Sequence, residues 1–332
     1  MLLLTFPIFL STVIANMNSL AAYAPGHVTG IFFIDDLDKD PLKRGSLGAG
    51  FSIDLGATTW INESAGMSNS AQPPAGPRFI LNGEPRELDV SAAVYSHFIE
   101  SQPNLPHTGL TISHNIDLPQ GSGFGTSGAG ALSLAMALNR WYGSPFSNEE
   151  AAQFAHRAEV ECKTGLGTVI GEYYGGVEIR TRTGAPGIGR LTQIPYPEDL
   201  RAVFAVRGPY STSKALSSPM VRDMVNLHGK NALDGLQRDP SVSNFLRYSR
   251  QFAEGTGLFT PWITDILEVL DAHHSIGSML MFGEGVFTLA PADKAVEIER
   301  KLRSYCERTG SADSKGTVVF STGINSSGGT LL

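Results

Sequence analysis

Residues 119–130, Pro119-Gln-Gly-Ser-Gly-Phe-Gly-Thr-Ser-Gly-Ala-Gly130, form a glycine-rich turn. It runs directly into Ala131-Leu-Ser-Leu-Ala-Met-Ala-Leu-Asn-Arg140, a strong helix former dense in Ala and Leu. A turn that feeds a helix in this way exposes several backbone N–H groups, and their positive ends converge on the incoming side, a place that suits phosphate. Pro119, Gly121, Ser122, Gly123, Phe124, Gly125, Thr126 and Ser127 are therefore candidate nucleotide-contacting residues. Thr126 and Ser127 sit where the helix starts, so their hydroxyls can cap it or reach a nucleotide-bound Mg²⁺. The pattern is not the P-loop, because no Gly-Lys-Ser/Thr ends it, and Gly121-Ser-Gly-Phe-Gly125 resembles a dinucleotide fingerprint only superficially. The alternative for the same glycines is tight helix packing with no ligand.

Hydrophobic patterning predicts the elements around this turn. Residues 28–34 are a β-branched and aromatic run that predicts a buried strand after a Pro25-Gly26 turn, and Asn18-Ser-Leu-Ala-Ala-Tyr-Ala-Pro25 opens it. Residues 35–41 predict a solvated loop, residues 45–50 a flexible glycine run between two strands that allows close backbone approach to a ligand or to another strand, and residues 63–77 a Ser/Asn/Pro/Gly-rich excursion. A short helix is predicted over 90–101. Residues 109–118 alternate as a strand, which yields the order strand, glycine loop, buried helix. Ser147-Asn-Glu-Glu150 has the capping-box spacing and starts a helix that should reach Cys162, after which Thr164-Gly-Leu-Gly-Thr168 turns the chain. The Gly/Pro-rich stretch at 184–189 places a domain boundary near 184–198. Beyond it, strands at 201–206, 279–289 and 317–321 alternate with helices at 262–270 and 292–308, and Ser218-Pro219 and Thr260-Pro261 are cap-plus-proline starts. The fold class is α+β, one sheet with helices against it.

At 332 residues, with 42% hydrophobic residues, the chain can fill two ordinary cores. Charged residues make up only 17%, the net charge is −7 and no Lys/Arg block occurs, which argues against nucleic acid as the main partner while leaving room for a local anion site. Cys162 and Cys306 have no paired spacing, so neither a disulfide framework nor structural zinc is supported, and the cytoplasm is the expected location. His273 and His274 are adjacent, which is not the same-face spacing of a helical metal pair. Residues 1–16 are mostly apolar, have no Lys or Arg, and are too short to span a bilayer. They read as an extension from a mistaken start codon, with a short membrane-associated or packed segment as the alternative.

The turn at Pro119-Gln-Gly-Ser-Gly-Phe-Gly-Thr-Ser-Gly-Ala129 resembles the ATP-binding motif of the GHMP small-molecule kinases. Tyr23-Ala-Pro-Gly-His-Val-Thr-Gly-Ile-Phe-Phe33 is similar to the opening motif of the archaeal pantoate-kinase branch of that superfamily. His156-Arg-Ala-Glu-Val-Glu-Cys-Lys-Thr-Gly-Leu-Gly167, Gly175-Gly-Val-Glu-Ile-Arg180 and Ser278-Met-Leu-Met-Phe-Gly-Glu-Gly-Val-Phe287 resemble other segments of the branch. The resemblance implies a two-domain GHMP kinase fold with a cleft between the domains: a ribosomal-protein-S5-like ATP-binding domain over 17–190 and a ferredoxin-like substrate-side domain over 191–332.

It also implies ATP and Mg²⁺, with the triphosphate over residues 121–127, Ser127 as the magnesium-side hydroxyl and Glu159 as the facing carboxylate, Glu161 being the competing choice. Related kinases commonly carry Asp at the end of Thr-Gly-Leu-Gly, where this chain has Thr168. A threonine hydroxyl can hydrogen-bond the substrate hydroxyl but cannot act as a carboxylate base at neutral pH. Thr168, Lys214 and Ser127 are the catalytic candidates. A substrate carboxylate needs positive partners, for which Arg44, Arg180, Arg207 and Lys214 are candidates, each with an ordinary surface charge as its alternative. His27, Thr29 and Ser46 can hydrogen-bond a hydroxy acid, and His27 can equally satisfy backbone groups at a strand edge.

The activity implied is ATP-dependent phosphorylation of the primary hydroxyl of pantoate to 4-phosphopantoate in coenzyme A biosynthesis. A kinase for another small hydroxy acid, such as mevalonate or mevalonate 3-phosphate, and a catalytically silent nucleotide-binding protein are the alternatives. The expected partner is a small hydroxy acid and not nucleic acid or membrane, with a homodimer as the expected assembly.

Overall fold

The computed structural model describes residues 20–63, 76–105, 109–209, 219–309 and 316–332, so the expectations for residues 1–16 and for Lys214 lie outside the described residues. The first half runs β1 (Leu20–Asp35), β2 (Gly45–Glu63), β3 (Arg78–Leu81), β4 (Glu84–Pro85), α1 (Asp89–Glu100), β5 (Leu110–Ile116), α2 (Thr126–Trp141), α3 (Asn148–Cys162), α4 (Thr168–Tyr174), β6 (Val177–Arg182) and β7 (Arg190–Gln193). The second half runs β8 (Leu200–Pro209), α5 (Pro219–Arg238), α6 (Val242–Thr256), α7 (Pro261–Ala272), β9 (Gly277–Met279), β10 (Gly283–Pro291), α8 (Ala292–Arg308), β11 (Val318–Gly323) and β12 (Thr330–Leu331).

The long antiparallel pair β1 and β2 is the spine of the first sheet, in register from Leu20 opposite Ile61 to Asp35 opposite Gly45. The expected Pro25-Gly26 turn is instead a point inside β1 where the register shifts, with a second shift between Thr29 and Ile31. Proline has no N–H to give a ladder, and a bulge is where a strand tolerates it. The glycine run at 45–50, expected as a flexible link, is the first part of β2. Its small residues have a packing reason, since a Cβ on Gly50 would lie 2.5 Å from the His27 ring.

Among the described residues the first sheet has the order β12-β1-β2-β5-β3-β4, with β6 on β2 and β7 on β6. The buried α2 lies against β1 and β2 and packs on α1 and α3. The second sheet has the order β11-β8-β10-β9. Alternation along β8 divides its faces: Val203 and Ala205 pack on α7 and α8, whereas Ala202, Phe204 and Val206 join a core shared with β1, β2, α5 and α6. Phe51 of β2 sits 6.4 Å from Phe204 of β8 and 5.9 Å from Phe245 of α6, ring centre to ring centre, so the two sheets meet through aromatic packing.

The expected division at residue 190 does not separate the sheets. Residues 190–193 pair with β6, and the end of the chain returns to the first sheet: Ile324 bridges Ile53, Asn325 N–H donates to the Ser52 carbonyl at 2.9 Å, and β12 pairs with β1. A strand as short as β12 carries no pattern that sequence could have revealed.

A buried polar network holds the helices to the sheet. The His114 ring bonds Thr59 Oγ1 at 2.8 Å through Nδ1 and Ser91 Oγ at 3.1 Å through Nε2, and Thr59 Oγ1 also meets Ser133 Oγ at 2.6 Å. Burial pushes His114 down to about 4, and burial likewise pushes His156 down to about 4 against the raising effect of its backbone partners. Both rings are neutral in the fold, whereas the unfolded chain protonates them near 6.5. The unfolded state then binds more protons between pH 6.5 and 4, and stability is lost as pH falls through that window, by about 3 kcal/mol per ring. Thermal unfolding from pH 7 down to pH 4 should show a falling Tm with a shallower slope in His114→Gln; a flat profile would refute this.

Candidate active site

Three left-handed glycines shape the turn before α2: φ is 71° at Gly121, 89° at Gly123 and 64° at Gly125. Space is as restrictive as angle, because a Cβ on Gly123 would lie 2.5 Å from the Met281 carbonyl oxygen and one on Gly283 would touch the Ser122 backbone. The His27 N–H donates to the Phe124 carbonyl at 2.9 Å, and the Phe124 ring packs edge-on to Phe204 at 5.1 Å. The loop is thus held between β1 and the second sheet. Gly125 is the N-cap of α2 and no side chain caps that end, so Thr126 and Ser127 are not caps. The N–H groups of the first turn stay without an intrahelical partner and face the loop. The Ser122 hydroxyl, buried and without a partner, adds a further polar group in the same turn.

Next to this end, Ser127 Oγ hydrogen-bonds Glu159 Oε1, which also accepts from Thr164 Oγ1 at 2.7 Å. Ser127 is exposed and Glu159 is buried beneath it. Burial raises the Glu159 carboxyl above its ordinary range, and the bonds from Ser127 and Thr164 oppose that rise. Glu161, the competing choice, is occupied elsewhere: His97 Nε2 lies 2.7 Å and Arg157 Nε 2.8 Å from its carboxylate. The hydroxyl and carboxylate are hard oxygen donors beside an uncapped helix N-terminus, a donor set that would fit Mg²⁺, an ion that keeps waters and takes the rest of its ligands from nucleotide oxygens. Among the described residues no group of three or more His, Cys, Asp or Glu gathers, so one carboxylate and one hydroxyl are what the protein would offer.

A second cluster, of a carboxylate, a guanidinium and an imidazole, is fully enclosed. Glu178 Oε1 takes Arg180 Nη1 at 2.8 Å and His27 Nε2 at 3.0 Å, with all three side chains at most 2% exposed. Glycines make the space for it: a Cβ on Gly171 would lie 2.5 Å from the His27 ring, and one on Gly48 would lie 2.9 Å from Arg180 Nη2. Arg180 Nε is unpartnered and faces Gly167, where a Cβ would lie 3.3 Å from it and would touch Ser46 Oγ. Burial lowers the Arg180 pKa and Glu178 raises it back. Gly167 precedes Thr168, the first residue of α4, so the Arg180–Ser46 notch adjoins the threonine.

The structure therefore brings together Ser127, Glu159, Thr168, His27, Ser46 and Arg180. Arg44 is spent on its own loop, donating to the Asp38 and Lys39 carbonyls, and Arg207 lies over the Trp262 ring at 5.7 Å and 3.9 Å from Glu284 in the second half of the chain. Thr29 is half-buried in β1 opposite Gly50. Glu178 and Glu172 escaped sequence reasoning. The available signal for Glu178 was a carboxylate and a guanidinium inside Val177-Glu-Ile-Arg180, a strand with both faces buried.

The fold and the helix-end seat define a small-molecule phosphotransferase, and the known proteins that the chain is similar to agree. Residues 90–176, from α1 to the end of α4, match the family model of the GHMP kinase N-terminal domain. The chain is 33% identical to the pantoate kinase of Thermococcus kodakarensis, covering 85% of this chain and 91% of that one. It is 32% identical to the pantoate kinase of Methanocaldococcus jannaschii, covering 81% and 92%. Among solved structures, a phosphotransferase related to the CoA biosynthesis pathway superposes with a TM-score of 0.81 at 29% identity over 95% of this chain and 98% of that one. A homoserine kinase from Cytophaga hutchinsonii shares the fold, with a TM-score of 0.69 at 16% identity, over 95% and 98%. The chain belongs to the GHMP kinase superfamily and, within it, to the pantoate kinase family.

Removing one partner of the enclosed cluster should be costly. Glu178→Ala leaves the Arg180 cation buried and unpaired, a loss of about 3–5 kcal/mol, which urea denaturation would read as a lowered midpoint at unchanged slope.

Proposed function

We propose that this protein transfers the γ-phosphoryl group of ATP to the primary hydroxyl of pantoate, making 4-phosphopantoate for coenzyme A synthesis in the cytoplasm, with Mg²⁺ on the nucleotide. The observation that carries this reading is the uncapped N-terminus of α2 standing next to both a hydroxyl–carboxylate pair, Ser127 and Glu159, and a buried guanidinium with an open donor, Arg180.

The triphosphate lies along the 121–127 turn, against the N–H groups of the first turn of α2. Mg²⁺ held by Ser127 and Glu159 supplies neutralisation of phosphate charge. Arg180 and Ser46 take the substrate carboxylate beside Gly167, and Glu178 keeps Arg180 and His27 in place. Thr168, the next residue, hydrogen-bonds the attacking hydroxyl and aims it at the γ-phosphorus. The alcohol oxygen forms the new bond to phosphorus, the bond from phosphorus to the β,γ-bridging oxygen breaks, ADP leaves with that electron pair, and the hydroxyl proton is released. Positioning and charge stabilisation carry most of such a reaction, so a threonine can serve where no carboxylate reaches the alcohol. No helix among the described residues is long and apolar enough to cross a membrane.

Incubating the purified protein with ATP and pantoate, mevalonate or mevalonate 3-phosphate should give ADP and a phosphorylated product with pantoate alone. Transfer to a mevalonate-type acid would overturn the substrate, and nucleotide binding without any transfer would overturn the activity. Arg180→Lys keeps the charge but loses the fork, and should raise KM for pantoate by about tenfold or more while KM for ATP stays nearly constant. Thr168→Ala should lower kcat by about tenfold with little change in either KM; an unchanged kcat removes Thr168 from the mechanism.

A further inference from the structure

Glu172 is fully buried, and neither of its carboxyl oxygens has a hydrogen-bond partner. It stands four residues after Thr168 on α4, so its side chain reaches back toward the first turn of that helix. The N-terminal end of α2 meets it there. A Cβ on Gly125 would touch the Thr168 methyl group and lie 2.6 Å from Glu172 Oε1, and a Cβ on Gly128 would lie 2.6 Å from Oε2. The carboxyl group therefore fills the notch that two glycines leave at the start of α2, beside the turn that faces the phosphates. Gly128 lies within a helix, where glycine costs about 1 kcal/mol relative to alanine. Its presence is explained by the carboxyl group, because only a residue without Cβ leaves room for it.

The adjacent face of α4 is held as closely. A Cβ on Gly171 would lie 2.5 Å from the His27 ring, and Ser52 Oγ donates to the Gly171 carbonyl at 3.0 Å. Thr168 thus sits on a short helix gripped from two sides, by the His27–Glu178–Arg180 cluster and by Glu172 against α2. A negative charge in the notch would oppose both Glu159 and an incoming polyphosphate. Burial first, and Glu159 second, hold the Glu172 carboxyl well above its usual range, which favours the protonated form in the notch.

We propose that Glu172 is a positioning residue for the kinase reaction, its buried carboxyl group acting as the spacer that sets Thr168 against the N-terminal turn of α2. This rests on reading that turn as the triphosphate seat. The spacer acts through shape and dipole, and it touches neither the phosphates nor the alcohol.

The test compares wild type with Glu172→Gln, Glu172→Ala, Gly128→Ala and the Glu172→Ala/Gly128→Ala double variant, reading ATP affinity by calorimetry, kcat, KM for both substrates and Tm. Glu172→Gln, the isostere of the neutral acid, should keep kcat and ATP affinity within about threefold. Glu172→Ala should lower kcat by at least about tenfold while ATP affinity falls less. Gly128→Ala alone, which drives a methyl group into the carboxyl, should also lower kcat, and the double variant should retain a higher kcat than the product of the two single losses predicts, because the new methyl then fills the vacated space. Wild-type kcat and ATP affinity in Glu172→Ala with only a lowered Tm would reduce Glu172 to core packing and overturn the proposal. A Glu172→Gln variant as impaired as Glu172→Ala would overturn it as well, since a charged carboxylate would then be required. If Glu172→Ala does not fold, Glu172→Gln and Gly128→Ala decide by the same criteria. Wild type that binds no ATP would remove the seat itself and the proposal with it, whereas ATP binding with unaltered variants removes the proposal alone.

Discussion

The constraint on which the rest of the molecule depends is a helix end left open. The first turn of α2 has N–H groups without intrahelical partners, and its N-cap is a glycine with no side chain to satisfy them. A protein that capped this end with Ser, Thr or Asp would gain stability of about 1 kcal/mol and lose the anion seat. Three left-handed glycines are needed to keep the loop out of the way, and they in turn need something rigid to hold them. That support comes from β1, through His27 N–H on the Phe124 carbonyl, and from the turn before β10, through the close contacts of Gly123 with Met281 and of Gly283 with Ser122. The two sheets are joined where the loop lies, by Phe51, Phe124 and Phe204, so loop geometry and domain packing are one problem.

The second demand is burial of charge without loss of the fold. A buried ion pair repays its desolvation only when its geometry is good and its remaining donors are used. Glu178 meets half of that condition by serving both Arg180 and His27 with one oxygen, leaving Glu178 Oε2 and Arg180 Nε without partners. Open valences of this kind are expensive in a site that serves packing alone, and they are what a ligand with a carboxylate and a hydroxyl would complete. The glycines at 48, 50, 167 and 171 then share a consequence. Each one leaves room for a polar side chain of the site, and at 48 and 50 a Cβ would meet the β1 backbone as well.

Local signals in the sequence were legible, and signals that depend on distant pairing were not. Ser147 and Glu150 form the reciprocal capping box that their spacing indicates, with Ser147 N–H donating to Glu150 Oε2 at 2.9 Å and Glu150 N–H to Ser147 Oγ at 3.2 Å. Thr260 caps α7 ahead of Pro261 in the same readable way. The glycine loop before a buried helix was legible because its chemistry is made by consecutive residues. Pro25-Gly26 misled, because turn chemistry is a local preference and the long ladder with β2 overrode it by placing a bulge there. The glycines at 45, 48 and 50 were legible as a place of close approach to another strand and misled only as a flexible link; that Gly50 leaves room for His27 is visible only after β1 and β2 are paired. Glu178 and Glu172 lie in apolar surroundings, Val-Glu-Ile and Gly-Glu-Tyr, and the groups that define their sites, His27 on β1 and the glycines at the start of α2, are brought up from far along the chain.

The same reasoning bears on why a threonine can stand at the start of α4. A Cβ on Gly165 would touch Glu159 Oε2 and lie 3.2 Å from Thr168 Oγ1, so the two side chains flank one small space, and Glu172 lies on the other side of the threonine. A carboxylate at position 168 would be the third acidic group in an enclosure where burial already raises the proton affinity of Glu159 and Glu172. Like charges about 4–5 Å apart repel by about 3–4 kcal/mol at an effective dielectric of about 20. That repulsion would fall on Glu159, the carboxylate proposed to face the nucleotide's cation. A hydroxyl at 168 avoids it and still offers one donor and two lone pairs to an attacking alcohol. Thr168 and Glu172, whose carboxyl burial and Glu159 push further toward the protonated form than burial pushes Glu159, are two parts of one electrostatic arrangement that limits negative charge beside the first turn of α2.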